Sequence, residues 1–257
     1  MYEAMMIAAT GLKNQQSRLD TIANNVANVN SAAFKAARLD FKDALYTAGI
    51  VPAKPRSPEG NQQKGHGVMV AGIAKDFSVG NMQTTERPLD AAIEGEGFFE
   101  LGDGSGKIVY TRNGAFNMSS EDGGNFLVNG DGLYVHDAGG NKISVPYGTD
   151  TININIDGSV TFVAFEEETT VQLGVYTFRN ITGLLSMGNG TYSESAASGE
   201  KLPAAGVAIR QGAIEGSNVN LAEEMTRLIR TQRTFQLSSR ALTTADEMEG
   251  IANNMKR

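Results

Sequence analysis

The two ends of the chain carry apolar residues at helical spacing. In residues 2–29 a seven-residue repeat fills two positions, one with Met5, Leu12, Leu19 and Val26, the other with Ala8, Gln15, Ile22 and Val29. Such a repeat is typical of a helix with a single apolar seam. It predicts a helix over residues 2–29, about 42 Å long at 1.5 Å per residue.

A second helical pattern lies at the other end of the chain. Its seam positions alternate in steps of four and three: Leu221, Met225, Leu228, Gln232, Phe235, Ser239 and Leu242. Asn220, with Glu223 three residues later, resembles a capping box, so we predict a helix from Leu221 to Lys256. Periodicity leaves the partner open. The two helices pair with each other, or each packs on the middle of the chain as an ordinary amphipathic helix.

The middle of the chain has the pattern of an antiparallel sheet. Short β-prone runs predict strands at residues 98–101, 107–110, 126–128, 133–135, 142–145, 151–156, 159–165 and 171–178. Turns rich in Asn, Asp and Gly lie at 129–132, 139–141 and 157–158. Because no segment of helix length intervenes, neighbouring strands are expected to run antiparallel.

Glycine and proline support this division of the chain. Of 30 glycines, only Gly11 lies in residues 1–45 and only Gly250 in residues 218–257, and all six prolines lie between. We therefore predict an α+β fold, with N- and C-terminal α-helices pairing as a coiled-coil-like domain and a mainly antiparallel β middle. The predicted domains are a terminal helical domain (1–35 and 218–257), an extended connecting region (36–90 and 203–217) and a β domain (91–202). Within the connecting region, residues 48–66 carry three prolines and are expected to be an extended connector or a long surface loop.

Composition excludes several classes of function. The net charge is −7, and the sequence contains no cluster of Lys and Arg. Both features argue against nucleic-acid binding. The chain has no cysteine and two histidines, so we expect no disulfide, no thiol catalysis, no metal site and no cofactor. It has no run of 18 apolar residues and no pattern of a cleaved signal peptide, so we expect a protein that is not integral to a membrane.

Candidate catalytic motifs are weak. Residues 102–107 resemble a phosphate-binding loop, but Leu101 replaces its first glycine and Ile108 its hydroxyl residue, so a hairpin turn is expected. His66 and His136 are interpreted as exposed loop residues, and residues 166–168 as a solvated strand end. We expect no catalytic residues. The distant alternative is a secreted carbohydrate-active enzyme, which needs two convergent carboxylates in a pocket.

Short motifs along most of the chain carry a resemblance. They lie at 8–12, 22–30 and 34–35, in the middle at 92–99 and 110–116, and at the end at 216–220, 223–225 and 232–233. Together they resemble the bacterial flagellar rod and hook family. One departure is Ala33, where relatives usually have glycine, so we expect the backbone there to avoid positive φ.

The resemblance implies a subunit that is exported unfolded through the flagellar type III apparatus, without a cleaved signal peptide. It implies a helical polymer in the basal body, outside the cytoplasmic membrane, whose partners are copies of the chain and neighbouring rod and hook proteins. Chain length favours the distal-rod subunits, with proximal-rod or hook-type subunits as the alternative. The predicted assembly interface comprises Met5, Leu12, Leu19, Ile22, Asn25, Val26, Asn28, Leu221, Met225, Leu228, Gln232, Phe235 and Leu242.

Overall fold

The computed structural model describes residues 2–44, 47–48, 63–64, 67–121, 124–165, 167–204 and 206–255. The chain forms two compact units. The helical unit comprises residues 1–27, 37–75 and 220–257, and the β unit comprises residues 28–36 and 76–219. Most of the connector predicted at 48–66, and His66 within it, lies outside the described residues.

The helical unit is built from two long helices and a β ribbon. Its elements are α1 (Tyr2–Ala27), β1 (Ala37–Asp43), β2 (Thr47–Ala48), β3 (Gln63–Lys64), β4 (Val68–Lys75) and α2 (Leu221–Asn254). Helix α1 contacts α2, β1 and β4. The predicted pairing of the terminal helices is therefore confirmed.

Helix α2 begins at the predicted residue. The Asn220 Oδ1 accepts hydrogen bonds from the N–H of Ala222 at 3.1 Å and of Glu223 at 3.3 Å, which satisfies two donors of the first helical turn. Helix α1 ends at Ala27, two residues before the predicted end. Residues 28–33 form turns, as the asparagines in this stretch favour.

Strands β1 and β4 pair antiparallel, from Ala37 opposite Lys75 to Asp43 opposite Val68, with an irregularity between Asp40 and Phe41. From residue 68 to 74 strand β4 contains only apolar residues and glycine. A strand apolar on both faces is usually buried on both faces, yet residues 68–73 are exposed. The ribbon therefore presents an uncovered apolar surface.

The β unit holds the remaining strands and one short 3₁₀ helix at Ile181–Gly183. Its strands are β5 (Met82–Thr84), β6 (Ala91–Glu94), β7 (Phe98–Gly102), β8 (Ile108–Thr111), β9 (Asn117–Glu121), β10 (Gly124–Val128), β11 (Tyr134–Val135), β12 (Ser144–Val145), β13 (Thr149–Ile154), β14 (Ser159–Ala164), β15 (Glu167–Gln172), β16 (Val175–Phe178), β17 (Leu185–Gly188), β18 (Thr191–Ser193), β19 (Lys201–Pro203), β20 (Ala208–Gln211) and β21 (Ala213–Glu215).

Every strand pairing among the described residues is antiparallel, as predicted. The largest sheet runs β12-β10-β11-β7-β8-β18-β17, with β9, β16 and β19 joined to its side, and a separate sheet runs β13-β14-β15. Strand β6 pairs with β20, and β5 pairs with β21. The last strands of the β unit therefore lie beside its first strands.

Two groups of buried side chains hold the β unit together. The larger is aliphatic with three phenylalanines, including Phe99 and Phe162. The smaller is aromatic, with Phe98 and Tyr192 packed edge to face at 5.8 Å between ring centroids. Such edge-to-face contacts add to the stabilisation that burial of the rings provides.

The predicted strand at 171–178 is two strands, β15 and β16. The strand pattern is interrupted at Leu173 and Gly174, where the Gly174 N–H donates to the His136 carbonyl at 3.0 Å. A Cβ at position 174 would lie 2.7 Å from the Asp137 carbonyl oxygen, so only glycine allows this approach. The predicted turns are confirmed, with positive φ at Gly132, Gly140 and Gly158.

Two sequence expectations are wrong. Ala33 has φ +54°, although we expected its backbone to avoid positive φ. Its side chain is buried and its N–H donates to the Glu215 carbonyl at 2.7 Å, so long-range contacts hold the left-handed backbone that glycine would adopt more easily. His136 is half-buried and not an exposed loop residue, because its Nδ1 lies 3.1 Å from the buried Glu100 carboxylate.

Candidate assembly surfaces

The predicted interface residues differ widely in exposure. Ile22 and Asn25 are buried, and Leu221, Met225 and Gln232 are exposed. The others are half-buried: Met5, Leu12, Leu19, Val26, Asn28, Leu228, Phe235 and Leu242. All except Asn28 belong to the helical unit. Their role between subunits stays a prediction, as do the predicted domain boundaries.

Helix α2 buries a stripe one position away from the one predicted. Its least exposed side chains again alternate in steps of four and three: Glu224, Leu228, Thr231, Phe235, Ser238, Leu242 and Ala245. We call this stripe the inner seam. It shares three residues with the predicted one and replaces Leu221, Met225 and Gln232 with polar and small residues.

Two polar members of the inner seam, Glu224 and Thr231, are hydrogen-bonded. Thr231 donates its hydroxyl to the Arg227 carbonyl at 2.8 Å. The Glu224 carboxylate accepts from Arg227 at 2.9 Å and from the Asn25 amide at 3.3 Å. These hydrogen bonds offset the cost of burying polar atoms. Glu224 and Thr231 can therefore face inward, although their polarity predicts exposed positions.

Asn25 connects three elements of the helical unit. Its amide donates to the Ala37 carbonyl and accepts from the Ala37 N–H, both at 2.9 Å, and its third bond goes to Glu224. It therefore uses both donors and its acceptor to fix the entry into β1 relative to α1 and α2. The sequence assigned Asn25 to the interface, whereas the structure shows a buried link within the subunit.

A buried ion cluster lies in the β unit. The Glu215 carboxylate lies 2.7 Å from the Lys35 ammonium and 2.6 Å from the Arg112 Nε, and all three side chains are buried. The Gly80 N–H donates to the same carboxylate at 2.7 Å, and Lys35 also donates to the Ser78 carbonyl at 2.6 Å. Every charge in the cluster is thus paired, as buried charges require.

Burial and charge act on the cluster in opposite directions. Burial alone would raise the pKa of Glu215, but Arg112, the Gly80 N–H and Lys35 together hold that pKa below its ordinary value. Burial lowers the pKa of Lys35, and the hydrogen bond and charge of Glu215 oppose this shift. The carboxylate is therefore the group whose charged form the fold favours.

Arg112 also organises the backbone around it. Its guanidinium donates to the carbonyls of Gly97 and Gly95, both at 3.0 Å, and to the Ile93 carbonyl at 3.4 Å. One side chain therefore holds the turn between β6 and β7. The short glycine-rich sequence there supplies two of the carbonyls that Arg112 binds.

Asn218 joins the segments that begin and end the β unit. Its Oδ1 accepts from the Ala36 N–H at 2.8 Å, and its Nδ2 donates to the Asp76 carbonyl at 2.8 Å and to the Ser78 hydroxyl at 3.1 Å. Asn218 thereby ties the segment before β1 to the segment after β4 and to the approach to α2.

Short motifs that are far apart in the sequence therefore meet in the β unit. Lys35, Gly97, Arg112 and Asn218 come from four of them. Sequence analysis missed Glu215, whose carboxylate binds Lys35 and Arg112. Its signal is the alternation of Ala213, Ile214 and Glu215 in β21, which places a carboxylate at the same inward position as the buried Ala213.

The remaining candidate chemistry has structural explanations. Residues 102–107 form the expected hairpin turn, in which the Asp103 Oδ1 accepts from the Ser105 N–H at 2.9 Å and the Lys107 N–H at 3.2 Å. The described part of the chain contains no group of acidic and histidine side chains suited to a metal ion. Neither described helix is long and apolar enough to span a membrane.

Comparison with known proteins assigns the chain to a family. Residues 5–35 match the family described as flagella basal body rod protein, residues 92–162 the flagellar hook protein FlgE/F/G D1 domain, and residues 210–255 the flagellar basal body rod FlgEFG protein C-terminal region. The flagellar basal-body rod protein FlgG of Borreliella burgdorferi is 36% identical over 274 residues, covering 100% of both chains. The chain belongs to the flagellar basal-body rod FlgG family.

Two further relatives come from Bacillus subtilis. The rod protein FlgG is 36% identical over 268 residues, and the flagellar hook-basal body complex protein FlhP is 32% identical over 271 residues, each covering 100% of both chains. As a FlgG-type rod protein, the chain is a structural subunit and not an enzyme, which removes the carbohydrate-active alternative.

The family matches agree with the structure. The three matched segments contain, respectively, Lys35, Arg112 and Glu215, the members of the buried ion cluster. The segment at 210–255 also includes the inner seam of α2. In this rod subunit the family's sequence signal thus coincides with the contacts that hold each unit together.

Proposed function

We propose that this rod subunit polymerises helically into the distal part of the flagellar rod and transmits torque from the motor to the hook. The observation that carries the proposal is the exposed apolar surface of the helical unit. Besides the residues of β4, α2 exposes large side chains along its length: Leu221, Met225, Ile229, Leu237, Met248 and Ile251. An apolar surface of this extent is typical of a protein–protein interface.

The helical unit is the polymerising part in this proposal, and residues 91–202 form a separate β domain. Residues 36–90 and 203–217 connect the two. Contacts between subunits are heterologous, so they propagate as a helix and do not close on themselves. Many such contacts share the load when the rod turns.

Partners and location follow from the same proposal. The subunit binds its own copies and neighbouring rod and hook proteins, and it reaches them outside the cytoplasmic membrane through the flagellar type III export apparatus. Full-length similarity to FlgG proteins supports this assignment.

The inner seam offers a direct test. Leu228→Asp and Phe235→Asp each place a charge in the half-buried contact region of α2, so we expect short or missing rods and loss of motility. Gln16→Asp changes an exposed position of α1 and is the matched control. Electron microscopy of basal bodies measures rod length, and normal rods with normal motility in both seam variants would contradict the proposal.

A second candidate is a proximal-rod or hook-type subunit. The full-length similarity to FlhP, whose name places it in the hook-basal body complex, favours keeping this alternative. Electron microscopy of basal bodies from a strain lacking the protein separates the two. Rods that stop before the distal part support the proposal, and complete rods without a hook support the alternative.

A further inference from the structure

A groove lies between α1 and the β1–β4 ribbon of the helical unit. Its floor is apolar and its wall, which belongs to α1, is polar. The floor comprises Ala37, Leu39, Val70 and Ile73, and the wall comprises Ser17, Asp20, Thr21 and Asn24. The groove has a volume of about 500 Å³, and Ile73 on its floor is 64% exposed. An open apolar groove on a protein surface is typical of a site that receives a helix of another protein.

The register of the ribbon shows which exposed side chains of β4 belong to the groove. Ile73 lies opposite Leu39, and Met69 lies opposite Lys42. Residues directly opposite each other share a face of the ribbon, and side chains alternate between faces along β1. Because Leu39 and Lys42 are an odd number of positions apart, Ile73 and Met69 lie on opposite faces. Both are exposed, but only Ile73 faces the groove.

The side of α2 opposite the inner seam is exposed as well. Ile229, Arg233 and Leu237 follow one another at intervals of four residues, and Leu237 is 66% exposed. At about 100° per residue, these positions and Arg240 are centred about 180° from the inner seam. We call the surface formed by Ile229, Arg233, Leu237 and Arg240 the outer face. Its spacing suits a helix that lays one side into a groove.

The charges of the outer face and of the groove are opposite. Arg233 and Arg240 are exposed and lie in a stretch without acidic residues, from 225 to 245. Asp20 on the groove wall is also exposed, and its carboxylate accepts one hydrogen bond, from the Gln16 amide at 3.0 Å. Among the described residues, neither arginine nor Asp20 has a salt-bridge partner. A basic helix face and an acidic groove wall are electrostatically complementary.

The groove and the outer face lie on opposite sides of the helix pair. Ser17 and Asn24 line the groove, whereas Leu19 and Val26 belong to the apolar seam of α1 that is left to face α2. A separation of two residues turns a helix by about 200°, so the two pairs point in nearly opposite directions. The outer face likewise lies on the side of α2 away from its buried seam. A copy bound through its outer face therefore keeps its own groove open on the far side, and each added copy is displaced sideways from the one before.

We propose that the groove between α1 and the ribbon binds the outer face of α2 from a second copy of this chain. Leu237 lies on the apolar floor beside Ile73, and Arg233 and Arg240 approach the wall that carries Asp20. The contact joins two different surfaces, so it propagates from copy to copy. The inference deepens the proposed function and rests on it, because it names a contact between neighbouring rod subunits.

The absence of cysteine in the chain allows a clean cross-linking test. An Ile73→Cys, Leu237→Cys double variant, expressed in cells that lack the native protein, should form disulfides between copies, since contacting positions bring Cα atoms within about 7 Å. We expect isolated basal bodies to yield a ladder of dimers, trimers and larger species under oxidation. An equal mixture of the two single variants should yield dimers only, because each copy then carries one half of the contact.

A Met69→Cys, Leu237→Cys double variant is the matched control, because Met69 is 51% exposed on the other face of the same strand. It should show at most one tenth of the cross-linking. An equal ladder from this control would overturn the inference. Dimers from Leu237→Cys alone would place two outer faces together and would overturn it as well.

Two other outcomes of the cross-linking separate the inference from the proposed function. A disulfide-sized product that joins Ile73→Cys to a different basal-body protein with an accessible cysteine would assign the groove to that protein and overturn the inference. Normal rods without a 73–237 cross-link would also overturn it and would leave the rod function intact.

Charge reversal tests the same contact without cysteines. Asp20→Arg opposes like charges, so we expect at least a fivefold loss of rods per cell. Adding Arg233→Asp and Arg240→Asp to the same chain should restore rod numbers to within twofold, which would not occur if the first variant merely failed to fold. Wild-type rod numbers in Asp20→Arg, or no recovery in the triple variant, would contradict the inference. Complete rods in a strain that lacks the protein altogether would instead contradict the proposed function.

Discussion

The ammonium group of Lys35 lies 2.7 Å from the carboxylate of Glu215, 180 residues further along the chain, and neither side chain is exposed. Lys35 belongs to the segment that follows α1, and Glu215 ends β21, shortly before α2. This ion pair therefore links the segment that follows α1 to the segment that precedes α2. Its disruption should affect the β unit first.

Lys35→Met removes one partner of a buried charge. We expect the free energy of unfolding of the β unit to fall by about 3 kcal/mol, because Glu215 keeps Arg112 but loses its second cation. Urea unfolding followed by the near-ultraviolet circular dichroism of the buried Tyr110 and Tyr192 measures the change. Arg210→Met is the control in the same unit. It removes an exposed contact of 4.0 Å to Glu94 and should cost less than about 1 kcal/mol.

The lowered pKa of Glu215 predicts a loss of stability in acid. Because the pKa of Glu215 in the folded protein lies below its ordinary value of 4.5, the contribution is complete above that pH and is lost as the pH falls through the folded pKa. Wild type should therefore exceed Glu215→Gln in unfolding free energy near pH 7, and the difference should shrink below about pH 4. A difference that stays constant from pH 7 to pH 3 would contradict the assignment. Glu94→Gln, an exposed carboxylate in the same unit, is the control.

Ala33→Gly should stabilise the β unit. A left-handed backbone costs a non-glycine residue about 1–2 kcal/mol, and part of that relief is offset by the greater freedom of glycine in the unfolded chain. The expected net gain is about 0.5–1 kcal/mol in urea unfolding. The neighbouring Ala32 has no positive φ, so Ala32→Gly should give no gain and serves as the control. Equal effects at both positions would mean that the strain at Ala33 is negligible.

Asn25→Ala should destabilise the helical unit. The substitution leaves the N–H and carbonyl of Ala37 without their side-chain partner and removes one partner of Glu224, at a cost of about 1–3 kcal/mol. Thermal unfolding followed by the helical circular dichroism signal measures it. Gln16→Ala removes an exposed amide of the same helix and should leave the midpoint within about 2 °C. If both variants melt alike, the three hydrogen bonds of Asn25 contribute little.

Much of the architecture was predictable from local pattern. The scarcity of glycine and proline at the ends, the step of four and three residues, and the cap at Asn220 predicted two helices and the first residue of α2. The Asn-Gly and Asp-Gly turns predicted the hairpins. These features depend on neighbours in the sequence, so a single chain displays them before it folds.

Other features required contacts between distant residues. Hydrophobicity placed Leu221, Met225 and Gln232 in the seam of α2, whereas Glu224 and Thr231 occupy it because Asn25 and the α2 backbone satisfy them. Ala33 takes positive φ because Glu215 and the surrounding core hold it there. Neither partner could be read from the local pattern, since a buried polar residue is stable only where the fold supplies its hydrogen bonds.

The sequence by itself determined two helical ends around an antiparallel middle and, through its motifs, the rod family. Only the tertiary structure decided which face of α2 is buried and which remains exposed. It also decided that Lys35, Arg112 and Glu215 form one cluster. Periodicity defines an apolar stripe but not its partner, and charges far apart in the chain meet only when the backbone between them has folded.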